Sequence, residues 1–161
     1  MSRIGFGFRF VACAALLSAV AALAQQSLTA PAGPVPPAIL AAKKIFIANS
    51  GSSSALFSGG PNRAYNQFYA SLKTAGVFEM VGDPSDADLV LELQIVDSGS
   101  GQANFKLVIY DRKTNFMLWT LFESIKVCTR QKTCDSNFDD ALPALLLNFE
   151  KLAGKGPAAA R

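Results

Sequence analysis

The chain has 161 residues, half of them hydrophobic, with 15 basic against 12 acidic side chains, a net charge of +3 and no histidine. That length suits a single domain with a real core. The missing imidazole excludes Ser-His-Asp and Cys-His catalysis and every histidine-ligated metal, and so small a basic excess is a poor basis for holding nucleic-acid phosphates or an anionic membrane surface.

Residues 1–24 read as a secretory signal peptide. Residues 1–9 carry Arg3 and Arg9 and no acid, and residues 10–24 are the apolar run FVACAALLSAVAALA. It closes on Ala22-Leu23-Ala24, a small-x-small cleavage site ahead of Gln25. A spanning anchor would need roughly 20 apolar residues, more than this run supplies. The stretch Phe10-Val11-Ala12-Cys13 loosely resembles a lipobox, but the apolar run follows Cys13 instead of preceding it, so Cys13 is not read as acylated. Cleavage after Ala24 implies a periplasmic or secreted protein with no stable membrane insertion. It removes two arginines and leaves thirteen bases against twelve acids.

Residues 25–39 form a Pro/Ala-rich linker, with Pro31, Pro34, Pro36 and Pro37 set against regular structure. One domain is expected over 40–153 and a frayed tail over 154–161. The run 43–49, KKIFIAN, predicts a central strand, and the Ser/Gly-rich 50–60 a flexible loop. Tyr65, Phe68, Tyr69 and Leu72 have helical spacing, with Pro61 near the first turn and Gly76 as the stop. Residues 77–81 predict a second strand and Asp83-Pro84 a turn. In 87–96, Ala87, Leu89, Leu91, Leu93 and Ile95 share one face, the alternation of a half-buried strand. Residues 105–110 and 116–127 flank DRKTN as a hairpin, with Met117, Trp119, Leu121, Ile125 and Val127 expected on one face.

A last helix is expected from Ser136, with Ser136-x-x-Asp139 resembling a capping box. Phe138, Leu142, Leu145, Phe149 and Leu152 make its apolar stripe. Pro143 conflicts with an unbroken helix and calls for a kink or a later start. The result is an α+β two-layer sandwich of order β-α-β-β-β-β-α. Its mostly antiparallel sheet of four to five strands carries both helices on one face.

After cleavage only Cys128 and Cys134 remain, and an exported pair so close in sequence is read as a disulfide. A redox pair would be expected as Cys-x-x-Cys, and a zinc site would need two further ligands. The 51–61 loop leads into a helix N-terminus but has no phosphate-binding glycine motif. Asp83, Asp86 and Asp88 lack the spacing of a calcium loop and fit a turn. Asp135, Asp139 and Asp140 read as charge at a helix start. Trp119 and Tyr110 could stack on a sugar or base, but read as packing within strands. No cofactor is expected.

The stretch 78–119 combines F-x-x-V, A-D-L-V-L-E-L and L-V-I-Y-D-x-x-T-x-x-x-L-W. This cadence resembles exported α/β modules of the bacterial envelope: the TolB N-terminal domain, penicillin-binding-protein activator lipoproteins and the periplasmic part of curli secretion channels. The segments AAKKIFI, NRAYNQFYASLK and DPSDADLVLELQ are also similar to small exported bacterial proteins that bring no assigned activity. The first resemblance implies an anticodon-binding-like fold acting by protein contact, not catalysis. The expected surface is the sheet face away from the helices, with Val90, Val108 and Tyr110, meeting an envelope protein or a second copy of the chain. The loops 50–60 and 98–104 are further candidate contacts. The alternative is a small-molecule or glycan binder using the Ser/Gly loop and exposed aromatics.

Overall fold

The structure is a computed structural model, and it describes residues 33–50, 55–97 and 102–156. The expected signal peptide, the linker up to residue 32, the loop segments 51–54 and 98–101 and the tail beyond 156 lie outside the described residues.

Helix α1, Pro37–Ala41, opens the domain. Here the prolines work the other way from the linker expectation: Pro37 stands in the first turn, where its missing N–H costs nothing. Ile39 is wholly buried and Val35 packs on the core, so the fold begins before residue 40.

Strand β1, Lys44–Asn49, is central as expected. Helix α2, Arg63–Ala75, buries Ala64, Phe68 and Leu72. It stops at Gly76, whose φ of 62° is the left-handed terminus that returns its N–H to the Leu72 carbonyl. The expected 77–81 strand shrinks to β2, Glu79–Met80. A 3-10 turn, Pro84–Asp86, then leads into β3, Leu89–Asp97, β4, Ala103–Asp111, and β5, Met117–Ile125. Helix α3, Gln131–Leu152, closes the fold.

The sheet order is β2-β1-β3-β4-β5. β1 runs parallel to β2 and β3, while β3-β4 and β4-β5 are long antiparallel pairs. The sheet is therefore mixed and open. A parallel β1-β3 neighbour requires a crossover, which α2 supplies. The β4-β5 hairpin turns on Asp111, whose carboxylate accepts from the Thr114 hydroxyl at 2.7 Å, with Asn115 in the left-handed region at φ 58°.

Both long helices contribute to one core on one face of the sheet. Ile45, Ile47, Leu89, Leu91, Phe105, Leu107 and Ile109 face Phe68, Leu72, Phe138, Leu145 and Phe149. Phe105 meets Phe138 edge-on at 4.8 Å, and Phe78 stacks on Phe149 at 5.3 Å. Each such side chain contributes about 1.5–3 kcal/mol on burial.

Four local expectations change. Helix α3 starts at Gln131 and runs through Pro143, so Ser136 and Asp139 lie inside it and form no capping box. The start is tied instead by Cys128–Cys134, which are disulfide-bonded with Cα atoms 5.1 Å apart. A register shift at Ile109/Tyr110 leaves Leu118 as an extra residue and pairs Met117 with Tyr110, so Met117 leaves the face shared by Trp119 and Leu121. The described part of the 50–60 loop is pinned, not free: Leu56 and Phe57 pack on the core, and Phe57 lies 5.2 Å from Phe138. The tail is also tied at its start. Lys155 donates to the Ala42 carbonyl, and its ammonium sits 4.0 Å over the Phe78 ring.

Candidate functional site: the uncovered sheet face

Strand alternation sends every second side chain away from the helices. Register puts Phe46, Val90, Glu92, Gln94, Val96, Lys106, Val108, Tyr110, Thr120 and Phe122 on that second face. Among the described residues neither long helix reaches it. Met117 is 62% exposed, Phe122 61% and Val96 37%, and Phe116 beside them is 72% exposed. The face is mixed, and its most exposed apolar strand residues, Met117 and Phe122, lie along β5, with Lys106 between Phe122 and Gln94.

Much of the polar strip on this face is satisfied within itself. Glu92 accepts from the Gln94 amide at 2.9 Å and from the Tyr110 hydroxyl at 3.2 Å, one at each carboxylate oxygen. Burial and the neighbouring Glu92 push the Tyr110 hydroxyl above its ordinary pKa, so it stays a neutral donor. Ser124 donates to Asn104 at 2.9 Å. Groups already paired with each other lose less when a second surface displaces water from them.

The three expected surface residues are not equivalent. Val90 and Tyr110 stand on the second face and are partly exposed. Val108 is on the same face, opposite Glu92 and Thr120, but only 2% exposed. It is a short β-branched side chain on an inner strand, flanked by longer ones, and forms the floor of the patch. A charge at Val108 would be buried, so it tests folding and not contact. Val90 and Tyr110 remain usable probes, and Phe122 and Met117, which sequence reasoning missed as contact residues, are exposed on the same face. The signal for Phe122 was its alternation with Leu121 in β5; the signal for Met117 was hidden by the bulge.

The acidic clusters have structural duties. Asp88 accepts from the backbone N–H groups of Lys43 and Lys44, both at 2.9 Å, which hold its pKa below the ordinary value and fix the start of β1. Asp83 caps the 3-10 turn through the Ser85 N–H at 2.7 Å. Arg63 bridges Asp135 at 2.6 Å and Asp139 at 2.7 Å, with its guanidinium 4.2 Å over Phe138. Asp135 also takes the Ser58 N–H and hydroxyl, at 2.9 and 2.8 Å. These contacts join the 55–60 loop, α2 and α3 at one corner.

No group of potential metal ligands occurs among the described residues, and no helix among them is long and apolar enough to cross a membrane. A cleft of about 220 Å³ lies between α1 and the hairpin, lined by Ala38, Ala41, Ala42, Asp88, Asp111 and Lys113. It is smaller than the roughly 300–1,000 Å³ usual for ligand sites, and both its carboxylates already accept hydrogen bonds from their neighbours.

No family model and no curated protein matches the chain. Solved structures do. A PelC dodecamer from Paraburkholderia phytofirmans is similar at 12% identity with a TM-score of 0.51, over 73% of this chain and 94% of that one. This likeness shows the fold. Lipoprotein GNA1162 from Neisseria meningitidis aligns at 14% identity and TM-score 0.41, over 65% of this chain and 94% of that one. TolB from Acinetobacter baumannii aligns at 16% and 0.35, over 66% of this chain and 29% of that one. The two looser alignments carry no argument.

Proposed function

We propose that the chain is an exported, non-enzymatic domain that acts by protein contact in the bacterial cell envelope, through the second face of its sheet. The observation that carries the reading is that face: Phe122, Met117 and Val96 are exposed on it, beside a Glu92–Gln94–Tyr110 group already hydrogen-bonded within itself. Several large apolar side chains exposed on one uncovered sheet face favour a partner. Export is supported by the 1–24 sequence and the Cys128–Cys134 disulfide, which suits an oxidising compartment. The PelC structure of like fold is a dodecamer, and assembly with further copies of the chain belongs to the proposal.

Two measurements test it. Intact mass of the protein recovered from the envelope fraction is expected to begin at Gln25; an uncleaved chain in the cytoplasm would overturn the export reading. Val90→Arg and Tyr110→Arg are expected to leave folding and export intact while losing a crosslinked partner that the parent chain retains. Equal partner recovery from both would remove the second face as the contact.

A further inference from the structure

We propose that the outer edge of β5 pairs antiparallel with β5 of a second copy of this chain, centred on Phe122. This adds a self-contact at the sheet edge, beside the second face, and rests on the reading that the chain acts by protein contact.

The two edges of the sheet differ. β2 is two residues long, and its Glu79 pairs with Lys44 at 3.7 Å, a short and charged edge. β5 is nine residues, MLWTLFESI, with no proline, no lysine and one acid. It pairs with β4 on its inner side, and among the described residues no backbone group bonds its outer side. Sheets usually guard such an edge with lysine, proline or a bulge, because its free N–H and C=O groups template another strand. Here the bulge sits at one end, at Leu118, and leaves 119–125 regular.

That regular stretch selects its own register. Antiparallel pairing about Phe122 maps residues 119–125 onto themselves. Phe122 then faces Phe122 of the second copy, Thr120 faces Ser124, Leu121 faces Glu123 and Trp119 faces Ile125. The most exposed apolar side chain of the stretch covers its own counterpart on the second face, an aromatic cross-strand pair. The lone acid, Glu123, never meets itself. A centre at Glu123 would oppose the two carboxylates, and a centre at Leu121 would leave Phe122 against Thr120. The two-fold contact is closed, as isologous dimers require.

The test uses the full chain after export and processing, examined by sedimentation equilibrium over a range of concentrations. The parent chain is expected to dimerise. Thr120→Lys with Ser124→Lys sets lysine opposite lysine and is expected to weaken the dimer at least tenfold. Thr120→Lys with Ser124→Glu sets opposite charges across the same register and is expected to restore it to within a few-fold of the parent. Circular dichroism and thermal unfolding confirm that each variant folds. A parent chain that stays monomeric, or double variants that associate alike, would overturn the proposal. Loss of a foreign partner with Val90→Arg but not with the lysine pair would separate the envelope reading from this one.

Discussion

Arg63 illustrates how one side chain can hold a corner of the fold. Its head is 12% exposed, pairs with two carboxylates and covers Phe138. Arg63→Ala leaves Asp135 and Asp139 without their cation and uncovers the ring. It is expected to cost about 2 kcal/mol, between the values for surface and buried pairs, read by urea unfolding; a loss below about 0.5 kcal/mol would make the pair ornamental. The same corner sets an acid response. The Ser58 N–H, then the Ser58 hydroxyl, Arg63 and Gln131, hold the Asp135 carboxyl down to about 2. A depressed folded pKa contributes stability that is full above the unfolded value near 4 and is lost as pH falls toward 2. Asp135→Asn is expected to flatten the stability profile between about pH 4 and 2, and an unchanged slope there would contradict the assignment. None of this was legible in the sequence, because Asp135 lies more than 70 residues from Ser58 and Arg63 and meets them only after α2 and α3 dock. Asp135 looked like helix-start charge, but α3 starts at Gln131 with no acid in its first turn, and Asp135 bonds to Ser58 and Arg63 instead.

At the scale of elements, α3 is the least expected piece. A proline inside a helix removes one hydrogen bond and crowds the preceding turn, worth about 3 kcal/mol in a free helix. The sequence therefore argues for a kink at Pro143 or a later start. The helix continues because its N-terminal part is held by Arg63 and the disulfide, and its C-terminal part by Leu145 and Phe149 in the core. Pro143 is exposed, so Pro143→Ala is expected to stabilise the protein by about 1–2 kcal/mol after the gain in unfolded-state entropy is subtracted. Destabilisation would show that the proline ring packs usefully. Opening the Cys128–Cys134 loop with Cys128→Ser and Cys134→Ala is expected to cost roughly 2 kcal/mol on the chain-entropy account, read as a lower denaturant midpoint. Where period alone decided, in β3 and α2, the sequence was a good guide: Leu89, Leu91 and Leu93, and Phe68 and Leu72, are buried as their spacing requires. The bulge at Leu118 was beyond reach, since a single extra residue changes side-chain direction without changing composition.

The described domain is a two-layer sandwich with one face of its sheet uncovered. The helices satisfy one face of a mixed sheet; the other keeps Phe122 and Met117 in contact with solvent. Alternation in β3 and β4 made that face foreseeable, and with it Val90 and Tyr110. The depth of Val108 was not foreseeable, because it depends on neighbours from β3 and β5 that alternation within one strand does not report. The contact account places the second face, not the helix face, against another protein. It is tested most directly by photo-crosslinking in cells, from an exported copy carrying the probe at Tyr110 and another carrying it at Lys73, an exposed position on α2. The account predicts a discrete adduct of one envelope protein from Tyr110 alone. Equal adducts from both positions, or none from Tyr110 in a correctly processed protein, would contradict it.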